Sequence, residues 1–151
     1  MTDNKNKKVW LNRYANQVRG IERLENKRDT LEERITSVRS PTLSGLPRGG
    51  EPITIEDLIA DKVEIEERIL RLKDKARRVR REILDAIADI GDVKLCEVME
   101  GRYILLQSPE DIARGMGYNT RHVWVLLSQG VEAIEIPGLE EFDDPLVSPD
   151  P

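Results

Sequence analysis

The chain has 151 residues, 35% of them charged and 4% aromatic, with a net charge of −5. So polar a composition excludes one large-cored globule and fits one or two small domains built on long exposed helices. The lone Cys96 excludes an intrachain disulfide and suits a reducing compartment, where it serves as a small packing residue on a helix. The polar opening MTDNKNKK leads into no apolar run, so no secretory signal is expected. No segment approaches the ~20 apolar residues of a membrane span. The expectation is a cytoplasmic protein with no membrane partner.

In chain order, Val9 to Val38 predicts one long helix, with Trp10, Tyr14, Ile21, Leu24, Leu31, Ile35 and Val38 at three- and four-residue spacing. Gly20 is its weak point. SPTLSGLPRGGEP, from Ser40 to Pro52, breaks any regular element and predicts a flexible linker over 40–53. Thr54 then caps a second long helix, with Asp57 three residues on. Its stripe is Ile55, Leu58, Lys62, Ile65, Ile69, Leu72, Ala76, Val79, Ile83, Ala86 and Ile90. The regular alternation of three and four is a coiled-coil seam. The first helix folds back on it as an antiparallel hairpin. Being shorter, it leaves part of the second helix open, so a homo-oligomer through that helix is expected.

From Arg68 to Arg81 the second helix holds eight basic residues against Asp74 alone, a charge of +7 that includes Arg77, Arg78, Arg80 and Arg81. Such a block usually marks a solvated face, but beside the helix-turn-helix described below it is expected to contact nucleic-acid phosphates. The tail from Pro137 to Pro151 carries five acids and no Lys or Arg. It is expected to be disordered.

Gly91 ends the second helix and Asp92 opens a third, whose apolar face runs from Val93 to Ile104. SPEDIARGMGYNTRHVWVLL, from Ser108 to Leu127, has the layout of a helix-turn-helix. Ser108 caps, Pro109 needs no amide partner, and Asp111 is placed for a capping box. Ile112, Ala113 and Met116 form one face, and Gly117 supplies the tight turn. A second helix opens at Asn119 or Thr120, and its Val123, Leu126 and Leu127 point into the core.

The opposite face carries Asn119, Thr120, Arg121, His122, Trp124, Val125 and Ser128, the residues expected to meet double-stranded DNA. Asn119 and Thr120 also suit capping, and His122 stands apart from any ligand cluster, so no metal is expected. Trp124 is placed to stack on a sugar or base or to anchor a protein partner. The chain lacks a nucleophile–base pair, paired catalytic carboxylates and a phosphate-binding glycine loop. Neither catalysis nor a cofactor is expected.

On the residues Arg102-Tyr103-Ile104, Ser108, Ile112, Ala113, Met116-Gly117-Tyr118 and Val123, the chain resembles small phage regulators of the RinA/ArpU type. Their C-terminal part is similar to region 4 of bacterial sigma factors. That resemblance implies DNA binding that activates phage late transcription. It departs in charge: from Asp92 to Ile136 four basic residues face seven acids, a field that repels phosphate.

The expected architecture is all-α. A long antiparallel coiled-coil hairpin over 1–90 precedes a helix-turn-helix domain over 91–136 and an acidic tail over 137–151. The expected function is a DNA-binding transcriptional regulator of phage or prophage type. The alternatives are a small terminase-like packaging factor and a protein-interaction module docking on RNA polymerase or another host protein.

Overall fold

A computed structural model describes residues 2–39 and 53–137. The expected linker and acidic tail, apart from Ile53 and Pro137, lie outside the described residues. The protein is all-α. Its helices are α1 (Thr2–Leu11), α2 (Arg13–Arg39), α3 (Ile55–Ala88), α4 (Val93–Tyr103), α5 (Pro109–Met116) and α6 (Thr120–Ala133). The first helix thus begins seven residues before the expected Val9. Only Asn12 interrupts it. Helical bonding continues through that residue: Asn12 N donates to Lys8 O (2.9 Å) and Asn16 N to Asn12 O (3.0 Å).

Side chains at the expected positions set the other starts. Thr54 Oγ1 accepts from Asp57 N (3.1 Å), and Asp57 Oδ2 accepts from Thr54 N (3.4 Å), a reciprocal box that opens α3. Asp92 Oδ1 takes Leu95 N (3.1 Å) at the head of α4. Each bond satisfies an amide that the first helical turn leaves without a partner.

The helices fall into two compact units, Gln17–Lys75 and the residues up to Asn16 together with those from Ala76 onward. In the Gln17–Lys75 unit, α2 and α3 run in opposite directions. Glu32 pairs with Lys62 (2.6 Å) and Glu25 with Lys73 (3.4 Å). The hydrogen bond from Lys62 to Glu32 holds that amine above its ordinary pKa. Solvent reaches both pairs, so they orient the helices more than they hold them. Cohesion comes from Ile21, Leu24 and Ile35 on α2 and Leu58 and Ile69 on α3, all buried.

The other unit has the larger core. Leu11, Ile83, Ile87, Val98, Met99, Val123 and Ile134 are shut off from solvent almost completely. α6 crosses α4 closely at Gly130, where a Cβ would stand 2.6 Å from Met99 Sδ and 2.7 Å from its Cγ. Any larger residue there would push the Met99 side chain aside. Cys96 is half-buried on α4, and its thiol lies 3.1 Å from Ile87 O.

The N-terminal helix belongs to this core. Lys7, itself buried, reaches the last turn of α6 and donates to Glu132 O (3.0 Å). A cation there meets the carbonyl end of the α6 dipole.

Candidate functional site

α5 and α6 are joined by three residues whose backbone is fixed at both ends. Ser108 Oγ accepts from Asp111 N (3.1 Å), and Pro109 fills the first helical position. Asp111 Oδ1 in turn takes Arg114 (3.1 Å). Gly117 closes α5 at φ 73°, and Tyr118 N donates to Ala113 O (2.9 Å). That left-handed turn is open to glycine at no steric cost. Asn119 Oδ1 then accepts from His122 N (2.8 Å), which starts α6 at Thr120. Asn119 is therefore the cap.

α6 divides sharply. Val123, Leu126, Leu127, Gly130 and Val131 are buried, and Arg121, His122, Trp124, Val125 and Ser128 are exposed. Thr120 is half-buried. At about 100° per residue, Arg121, Trp124, Val125 and Ser128 share one outward face. Trp124 stays 50% exposed and its neighbour Val125 46%. The His122 ring stands edge-on to Tyr118 at 4.8 Å. Arg77, Arg78, Arg80 and Arg81 are exposed along α3, in the same compact unit as α6.

Beside the outward face of α6 lies a cleft of about 170 Å3. Lys8 of α1, Asn12, Arg102 and Tyr103 of α4, and Trp124, Leu127, Ser128 and Val131 of α6 line it. The Arg102 guanidinium sits 5.9 Å from the Trp124 ring centre and 3.5 Å from Gln107 O. Burial pushes the Tyr103 phenol above its ordinary pKa, with Arg102 pulling the other way, so near neutrality it is an uncharged hydroxyl.

Lys8, Asn12 and Arg102 escaped the sequence reading as site residues. Arg102 stood next to Tyr103 in the resemblance, but no local pattern ties Lys8 to α6. Among the described residues, no group of three or more His, Cys, Asp or Glu side chains is arranged to hold a metal ion. No described helix is long and apolar enough to cross a membrane.

No family model matches the chain, and neither a curated protein nor a solved structure matches it.

Proposed function

We propose that this protein is a DNA-binding regulator of phage or prophage type, whose α5 and α6 act as a helix-turn-helix with α6 as the recognition helix. The observation that carries this reading is the joint between them. Capped α5, left-handed Gly117 and capped α6 fix a helix whose outward face offers Arg121, Trp124, Val125 and Ser128. The charge deficit from Asp92 to Ile136 is partly offset by α1, which brings three lysines against one aspartate to the same unit. The test is anisotropy of labelled unrelated duplexes with the full chain. Binding that weakens steeply with salt is expected. No binding at low salt overturns the reading. The exposed Trp124 and Val125 favour a second reading, a face that docks on RNA polymerase or another protein.

The coiled-coil hairpin of α2 and α3 forms the oligomerisation arm in this proposal. Along the expected seam, Leu58 and Ile69 are already buried within the single chain. A second stripe is free: Ile59, Val63 and Leu70 are 37%, 48% and 67% exposed. Spaced four and seven apart, they fall within about 40° of one another. Changing all three to Ser is expected to lower the mass measured by light scattering while helicity stays unchanged. Unchanged association would remove this stripe as the contact. A wild-type mass well above a dimer would favour the packaging reading.

A further inference from the structure

Lys8 and Arg102 come from helices far apart in sequence and face one small cleft. Among the described residues neither has a carboxylate partner; Arg102 donates to the carbonyl of Gln107 instead. Two cations on one cleft without an acid repel each other, and the complement of that arrangement is an anion. The Ser128 and Tyr103 hydroxyls and the Asn12 amide add hydrogen-bond donors, over an apolar floor of Leu127 and Val131. At about 170 Å3 the cleft is smaller than the roughly 300–1,000 Å3 of sites that enclose a whole small molecule. It suits a single compact group. Guanidinium and ammonium together favour phosphate, the first by its planar fork and the second as a point charge.

We propose that this cleft seats one backbone phosphodiester of double-stranded DNA, held by Lys8, Arg102 and Ser128, with Trp124 against the adjoining sugar. This rests on the DNA-binding reading above and adds to it a contact supplied by the N-terminal helix. α1 would then complete a surface that α6 alone leaves short of positive charge. Such a contact fixes the register of the protein on the duplex and carries no base preference.

The test compares the full chain with two double variants, Lys8→Gln with Arg102→Gln and Lys8→Arg with Arg102→Lys. Each is titrated against two unrelated duplexes across a salt series. The Gln pair is expected to weaken both duplexes alike, by roughly three- to tenfold, and to lower the salt slope by about one. The charge-keeping pair is expected to retain the wild-type slope. If the Gln pair melts early, Lys8→Gln alone decides, because Lys8 is exposed and its loss leaves the core intact. Inorganic phosphate provides a second arm, read by Trp fluorescence. If it saturates the wild type but not the Gln pair while duplex binding is equal in both, the cleft takes free phosphate and the backbone assignment is overturned. Wild type that binds no duplex overturns the DNA reading and this proposal together. Wild type that binds, with an unchanged slope in the Gln pair, overturns the cleft alone.

Discussion

Leu11→Ala is expected to cost about 2–5 kcal/mol, the range for emptying a fully buried leucine site. Leu11 has no solvent exposure and belongs to the same cluster as Ile83, Ile87, Met99 and Val123. The lost side chain forfeits its transfer free energy and leaves a cavity that the packed helices around it close only in part. Native domains are stable by about 5–15 kcal/mol, so one such change consumes a large share. The measurement is urea unfolding followed by Trp fluorescence, since Trp10 lies beside Leu11 in the same core. A midpoint within error of wild type would mean that α1 does not dock on the C-terminal helices. A loss confined to Leu11→Ala and absent in Val38→Ala, which is 54% exposed on α2, would tie the effect to burial.

That prediction concerns the part of the fold least legible in the sequence. The starts of α3 to α6 were readable because their determinants are local. Thr54, Asp92, Ser108 and Asn119 each accept an amide hydrogen bond from the residue three positions on, and a short polar side chain before an apolar run announces this. Gly117 was readable for the same reason, as the residue that tolerates a positive φ four positions after Ala113. The docking of α1 has no such local mark. Lys7 meets Glu132 across 125 residues, and neither position carries a pattern that names the other. The polar run MTDNKNKK, which offers no apolar pattern to read, supplies the cation that meets the end of α6.

α3 shows a different kind of blindness. Its strong three-four stripe draws attention to the expected seam, whose Leu58, Ile69, Val79 and Ile83 are buried inside the chain. Ile59, Val63 and Leu70 belong to a second, thinner stripe. Only the accessibility of the folded chain separates a stripe already covered from one still open. The candidate site follows suit. The outward face of α6 could be listed from helical periodicity, whereas the cleft beside it needs three helices placed together before Lys8 and Arg102 become neighbours.

Replacing Arg77, Arg78, Arg80 and Arg81 with Gln is expected to produce the largest loss of duplex affinity of any surface change. All four are exposed on α3, in the unit that also contains α6. Counterion release sets the size of the effect. Each phosphate neutralised contributes about 0.9 to the slope of log affinity against log salt, so losing two to four contacts should flatten the slope by about 2–4. The loss should be the same for unrelated sequences, because phosphate contacts read no bases. Stability should change little: the substituted side chains lie outside the core, and the stripe of Val79 and Ile83 beneath them is untouched. Arg121→Gln gives the contrast, since a residue early in the proposed recognition helix should alter preference between sequences more than it alters the slope. A quadruple variant that keeps the wild-type slope would assign the α3 block to solvent or to a protein surface, and α6 with its adjoining cleft would then have to supply the electrostatic contacts.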